Sequence, residues 1–347
     1  MLSKDLDVVH NLLDMEVTPE WKVVAKCDRL ATDTGGCFSV TYIVQHVKGH
    51  RAFLKVLNLS RALSAPGDQL KALQYLITAF NFERDMLDLC AKYNLGRVAT
   101  AITHGKMDIP GNAVGVYYII FELADGDIRR HLAKSGLADT AWLLRALHHT
   151  ANGILQLHNR GIAHQDVKPS NVLLFGKHGA KVSDLGCADI QGGTSPRGFL
   201  VVAGDPSYRP IELAYEEVSP QWERRRLGTD MYLFGSLITF VFAKITMTAA
   251  ILDRLDPHHR PGVWPGDYRS VLPYVRQAYG EAMEEIRAAL PERLREELGE
   301  IIEYLCDPDP AKRGETKFTG RQQYSFERVV SMMNRLAAKE ELAISRS

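Results

Sequence analysis

The sequence predicts an α+β chain, with strands gathered in the first third and helices in the remainder. Two observations carry that prediction. From Trp21 to about Leu57 the apolar residues alternate or run in short β-branched stretches, and after Asp125-Gly126-Asp127 they recur at helical spacing. A third observation is size. At 347 residues, 46% of them hydrophobic, the chain can bury a sizeable core, as one large two-lobed domain or two ordinary ones.

The elements follow in order. Leu6, Val9, Leu12 and Leu13 sit at helical spacing, so residues 5–15 read as a short helix within an N-terminal helical extension, 1–20. Val23-Val24, Val40 to Val44 and Phe53 to Leu57 read as strands, with a turn over 32–36. A helix is predicted over 68–93, then strands over 98–105 and 114–122 joined by the turn Pro110-Gly111-Asn112. The first lobe is thus read as 21–123 and the second as 124–335, with a tail over 336–347. Helical patterns in the second cover 127–134, 139–160, 228–245, 270–290, 291–306 and 325–342. Val172-Leu173-Leu174 and Ala180-Lys181-Val182 read as short strands there.

Composition narrows the function. Lys+Arg and Asp+Glu both number 42, so no global nucleic-acid or membrane footprint is expected. The five cysteines, Cys27, Cys37, Cys90, Cys187 and Cys306, are scattered without a CxxC pair. They read as free thiols in a reducing, cytoplasmic setting. The pairs His148-His149 and His258-His259 lack ligand partners at zinc spacing. Residues 1–7 carry no secretory pattern, and the apolar run 233–252 contains Lys244, which suits a buried helix better than a membrane span.

The chemistry concentrates in His164-Gln165-Asp166-Val167-Lys168-Pro169-Ser170-Asn171, followed thirteen residues later by Asp184-Leu185-Gly186. Phosphoryl transfer needs a carboxylate to take the attacking hydroxyl's proton, oxygen ligands for magnesium and a cation on the moving phosphate. Asp166 is the candidate base and Lys168 the cation, with Asn171 and Asp184 as metal ligands. One carboxylate and one amide oxygen suffice for magnesium, which keeps several waters and binds ATP phosphates as well.

These residues resemble the catalytic loop and metal motif of protein kinases, HRDxKxxN and DFG, here HQDVKPSN and DLG. Further motifs fall in that family's order over about 25–335. Lys55 in Phe53-Leu54-Lys55 resembles the strand lysine on the α- and β-phosphates, and Glu83 the helix glutamate that pairs with it. Phe121 to Ala124 resembles the hinge, which implies adenine contacts from Glu122 and Ala124, and the resemblance also gives Leu173 to the nucleotide site. Gly204 to Glu212 resembles the end of an activation segment, and Asp230 to Gly235 the start of a buried central helix whose Asp caps the catalytic loop. Arg313, in Asp307 to Arg313, resembles the arginine that pairs with Glu212. The resemblance implies a bilobal protein-kinase fold, with a small β-rich lobe and a larger helical lobe, ATP between them and Mg2+ as cofactor. It also implies Ser/Thr protein substrates, the chain itself among them.

Departures from the pattern are equally legible. The glycine-rich loop reads Asp33 to Val40, with Gly35 in register, Gly36 beside it and Val40 closing it over the nucleotide. Phe53 stands where a small residue is usual, so either the nucleotide shifts or the register slips by one. Cys37 and Cys187 flank the phosphate site, as reactive thiols or, more plainly, as inert small residues. Gln165 replaces arginine before the base, which implies no buried charge there and no need for a phosphate to neutralise one. Thr194 and Ser195 then read as bystanders in an exposed stretch. Two other readings stay open, a scaffold with a kinase fold and a small-molecule kinase. The complete set Lys55, Glu83, Asp166, Asn171 and Asp184 opposes the first, while Lys168 and the 204–212 segment oppose the second.

Overall fold

Period-two alternation in the first third of the chain builds a single antiparallel sheet. In the computed structural model the described residues are 7–27, 39–60, 62, 67–109, 115–134 and 139–345. They fall into two compact units, Met1–Asp125 and Gly126–Ser347. The first unit holds β1 (Glu16–Thr18), β2 (Trp21–Lys26), β3 (Ser39–His46), β4 (Arg51–Leu57), α1 (Gln69–Lys92), β5 (Ala101–Met107) and β6 (Val116–Glu122). The sheet order is β1-β2-β3-β4-β6-β5. Asp68 caps α1 by accepting the N–H groups of Leu70 and Lys71.

Strand parity sorts the side chains. Val23, Val40, Tyr42, Val44, Ala52, Leu54, Val56, Tyr118 and Ile120 share one buried cluster. Thr41, Phe53, Lys55, Ile119 and Phe121 fall on the opposite face, because Thr41 pairs with Lys55, Lys55 with Ile119 and Phe53 with Phe121. The cluster also contains Val9, Leu12 and Val17. This corrects the expected helix over 5–15 and the separate extension 1–20. Over residues 7–20 a 3-10 turn forms instead, Asp7–His10, followed by β1 on the sheet edge. The Tyr42 hydroxyl donates to the Val9 carbonyl at 2.7 Å, the acceptor that a continuing helix would have offered to Leu13. Asp14 then turns the chain with φ 65°. The turns read at 32–36 and 110–112, with Gly35, Gly36 and Cys37, lie outside the described residues.

The second unit begins with β7 (Gly126–Asp127), α2 (Ile128–Lys134) and α3 (Thr140–His158). Four short strands follow: β8 (Ile162–Ala163), β9 (Val172–Leu174), β10 (Ala180–Val182) and β11 (Asp189–Ile190). They pair as β10-β9-β7 and β11-β8. Then come α4 (Ile211–Ala214), α5 (Trp222–Ala243), α6 (Met247–Arg254), α7 (Tyr268–Ala289), α8 (Arg295–Cys306) and α9 (Glu327–Ser345). Every residue of α5 from Arg226 to Thr239 is buried, which accounts for the apolar run. No single helix among the described residues is long and apolar enough to cross a membrane, and α5 bends by 78° into α6. The expected tail 336–347 is corrected too. Val329, Met333, Leu336 and Ala337 keep a buried helical stripe, so α9 continues to Ser345. Arg145 of α3 ties it down by donating to Glu341 at 2.8 and 2.6 Å.

A buried ion pair closes this unit. Arg313 gives two parallel N–H bonds to Glu212, both at 2.6 Å, and lies over the Tyr232 ring at 4.7 Å. Arg313 is 0% and Glu212 4% exposed. Removing one partner leaves the other charged and buried, at a cost of about 3–5 kcal/mol, whereas replacing both by apolar residues is often neutral. Arg313→Met should therefore lower the urea midpoint sharply, and Arg313→Met/Glu212→Leu should recover most of the loss. Equal losses in the single and double variants would show that the pair is not the cause.

Candidate active site

In the first unit, β4 and α1 bring Lys55 and Glu83 together. Lys55 Nζ donates to Glu83 Oε1 at 2.7 Å and Oε2 at 2.8 Å. Glu83 is 6% exposed, on the α1 stripe of Leu76, Phe80 and Leu87. With Lys55 so placed, the register of β4 stands as read, and Phe53 shares the lysine's face, its ring centroid 6.4 Å from that of Phe121. Val40 is a correction. It pairs with Val56 and points into the core, on the face away from Lys55. A one-residue shift of register reverses the face of every side chain, so the strand position assigned to Val40 belongs to Thr41, directly opposite Lys55. At the end of β6, Glu122 Oε1 accepts the Thr100 N–H at 2.7 Å and the Glu122 N–H donates to Thr100 O at 3.2 Å. Ala124 follows, partly exposed.

In the second unit the loop between β8 and β9 carries the candidate residues His164 to Asn171, and Asp230 of α5 shapes it. Its Oδ2 accepts the His164 N–H at 2.7 Å and His158 Nε2–H at 2.8 Å. Its Oδ1 accepts the Gln165 N–H at 2.8 Å and the Gln165 side-chain amide at 2.9 Å. Asp230 is 0% exposed, yet these donors hold its carboxyl below the usual range against the opposing effect of burial. Gln165 and Asp184 both adopt φ 65°, a conformation that non-glycine residues enter only when their surroundings impose it. The His164 ring spans the two motifs, with Nε2–H on Ser183 O at 3.0 Å and Nδ1 accepting the Asp166 N–H at 3.2 Å.

Asp166 is gripped from three sides. Its Oδ1 accepts the Asp205 N–H at 2.9 Å. Its Oδ2 accepts the Asn171 amide at 2.9 Å and lies 3.0 Å from Lys168 Nζ. A Cβ at Gly204 would collide with the Gln165 carbonyl and Asp166 Oδ1, so only glycine lets the backbone at 204–205 come this close. Burial pushes the Asp166 pKa up; Lys168 opposes that and the charge of Asp184 adds to it. Asp205 lowers it through its N–H, although two nearby carboxylates would suggest the reverse. The Asp205 side chain instead turns to Ser207 and to Lys168, 3.5 Å away. Burial alone would lower the Lys168 pKa, but Asp166, Asp205 and Asp184 together raise it.

The donor set suits magnesium. The Asn171 nitrogen is committed to Asp166, at both the backbone O and Oδ2, which turns the amide oxygen the other way. Asp184 adds a carboxylate from the left-handed residue that opens the Asp-Leu-Gly turn. Both offer hard oxygen donors, which is magnesium's preference. Leu173 sits on β9, partly exposed, on the face opposite buried Val172 and Leu174.

Two residues that shape the loop, Arg226 and its partner Asp189, escaped the sequence reading. Arg226, 1% exposed, donates Nε–H to Asp189 Oδ2 at 2.6 Å, one terminal N–H to Gln165 Oε1 at 3.2 Å and the other to Gly198 O at 2.8 Å. A buried positive charge therefore does stand beside the residue before the base, supplied by α5 and answered by Asp189. The signal was spacing, since Arg226 lies four residues before Asp230 and so on the same helix face. Cys187 resolves to the inert reading. Burial pushes its thiol up to about 12, far from thiolate reactivity.

A family profile described as "Protein kinase domain" matches residues 83–324. The chain is 25% identical over 202 residues to the hormonally up-regulated neu tumor-associated kinase of Mus musculus, covering 57% of this chain and 24% of that protein. It is 27% identical over 228 residues to CBL-interacting protein kinase 4 of Oryza sativa subsp. japonica, covering 63% and 43%. It is 34% identical over 108 residues to the dual serine/threonine and tyrosine protein kinase of Xenopus laevis, covering 31% and 10%. The chain thus spans less than half the length of these relatives. With more than half of its own length matched by the profile, the chain belongs to the protein kinase domain family.

Proposed function

We propose that this chain is an ATP- and magnesium-dependent protein kinase that phosphorylates Ser and Thr hydroxyls of proteins, its own included. The observation that carries this reading is the gripped carboxylate. Asp166 has Lys168 at 3.0 Å and the magnesium-type ligand Asn171 at 2.9 Å, in the order that phosphoryl transfer requires. Asp166 accepts the proton of the attacking hydroxyl, and Lys168 offsets charge gathering on the transferred phosphoryl group. Asn171 and Asp184 would hold magnesium, which supplies neutralisation of the phosphate oxygens. Lys55, oriented by Glu83, serves the α- and β-phosphates, while the main chain at Glu122 and Ala124, with Leu173, serves adenine. The protein substrate class follows from family membership and from Lys168, by resemblance a mark of Ser/Thr over Tyr acceptors. A cytoplasmic setting is part of this proposal, as scattered cysteines without a CxxC pair suit a reducing compartment.

The direct test is incubation with labelled ATP and magnesium, followed by phosphosite mapping. Asp166→Asn, Asp184→Asn and Lys55→Met should each cut transfer by about a hundredfold or more, with far-UV circular dichroism unchanged. Autophosphorylation persisting in Asp184→Asn would remove the metal assignment.

The face shared by Phe53 and Lys55 yields a second prediction. Phe53→Ala opens space on that face and should change the ATP dissociation constant by at least about threefold, or ~0.7 kcal/mol, as read by titration calorimetry. An unaltered constant would place Phe53 away from the nucleotide.

A further inference from the structure

The segment after Asp-Leu-Gly is anchored from inside the protein. Asp189 is its anchor, 7% exposed, with Oδ2 on Arg226 at 2.6 Å. The other oxygen, Oδ1, accepts the Ser195 hydroxyl at 3.1 Å and lies 3.5 Å from Trp222 Nε1. Ser195 Oγ in turn accepts the Ile190 N–H at 3.2 Å. Ser195 is therefore a half-buried member of the anchor, while its neighbour Thr194 is exposed. That corrects the expectation that both are equivalent bystanders.

We propose that Ser195 is an inhibitory phosphorylation site, one whose modification breaks the Asp189–Arg226 anchor and releases the segment from the catalytic loop; the loss of activity this implies rests on the kinase reading above. In the modification, Ser195 Oγ attacks the terminal phosphorus of a nucleoside triphosphate, bound to a protein kinase. An O–P bond forms, the bridging P–O bond breaks, the nucleoside diphosphate leaves and the hydroxyl proton is released.

The physical case is one of donors and charge. The hydroxyl is a donor to a carboxylate, and phosphorylation replaces it with acceptor-only oxygens carrying about −1.5 to −2 charges at neutral pH. Those oxygens would stand against Asp189, itself an acceptor. Two cations of this region are already engaged, Arg226 with Asp189, Gln165 and Gly198, and Arg197 with the Ala203 carbonyl at 2.8 Å and Cys187 Sγ at 3.1 Å. Space is short as well, since a Cβ on Gly198 would already lie 3.2 Å from Ser195 O and 3.6 Å from Asp189 Oδ2. The consequence reaches the base, because the same segment ends in the Asp205 N–H that holds Asp166 Oδ1 at 2.9 Å.

The test uses the full chain with phosphoserine installed at position 195, compared with unmodified and phosphatase-treated protein. Two readouts are taken, the initial rate of phosphate transfer and the rate of tryptic cleavage after Arg197. Modification should lower the transfer rate tenfold or more and speed cleavage tenfold or more, and phosphatase should reverse both. Ser195→Glu should follow the modified form, Ser195→Gln should lose less than threefold, and Thr194→Glu should match wild type. Modified protein as active as wild type, or a glutamine as damaging as a glutamate, would overturn the proposal. If wild-type protein transfers no phosphate, the kinase reading fails. The cleavage readout then decides alone, with faster cleavage supporting the release and unchanged cleavage overturning it.

Discussion

The catalytic loop depends on one buried carboxylate. Asp230, in the buried stretch of α5, collects four hydrogen bonds from His158, His164 and Gln165. A buried charge is tolerable only when donors saturate it. Here two of the four donors are backbone N–H groups of the loop itself, so satisfying Asp230 and shaping the loop are one event. The left-handed backbone of Gln165 is one result, since both of its N–H donors converge on a single oxygen. The direction of Asp166 is the next, fixed one residue later.

Around that hub the second unit places two arginines where water cannot reach them. Arg313 and Arg226 are 0% and 1% exposed, and each has one carboxylate partner, Glu212 and Asp189. Such pairs add little net stability compared with apolar packing, but they punish any arrangement that separates them. Glu212 and Asp189 lie at the two ends of the segment that passes Asp166. The pairs therefore fix both ends of one stretch of chain, with Gly204 and Asp205 held against the base between them. At Gln165 the geometry accommodates the Arg226 charge by offering the amide oxygen, while the amide nitrogen turns to Asp230.

Much of this was legible in the sequence, for identifiable reasons. The meeting of Asp166, Lys168 and Asn171 could be read because chemistry constrains residue type and spacing together, and short-range spacing survives folding. Lys55 and Glu83 could be read only by order, since their contact depends on a strand and a helix meeting 28 residues apart. Val40 failed because two faces alternate along a strand, and a turn of unknown length upstream leaves parity open. Residues 5–15 failed because the spacing of Val9 and Leu12 suits a helix and a lid on a sheet alike. Arg226 was missed because its spacing from Asp230 gives only a shared helix face, and the carboxylate that marks it as buried lies 37 residues away.

The charges around Asp166 also show why one position in the site is carboxylate and another amide. Asp184 raises the proton affinity of Asp166, and Lys168 lowers it. A base must be ionised before it can accept a proton, so the Asp184 charge is unhelpful unless something at Asp184 offsets it. Asn171 bonds the base directly through an N–H, as an aspartate at that position could not, and presents an oxygen outward. A second carboxylate at 171 would bring another like charge within hydrogen-bonding distance of Asp166, with no donor in exchange. In the proposed mechanism the amide thus offers an oxygen to magnesium on one side and a donor to Asp166 on the other. Asp205 follows the same logic with different atoms, its N–H on the base and its carboxylate turned to Lys168 and Ser207. In each case the atom facing Asp166 is a donor, and the negative charge is directed elsewhere.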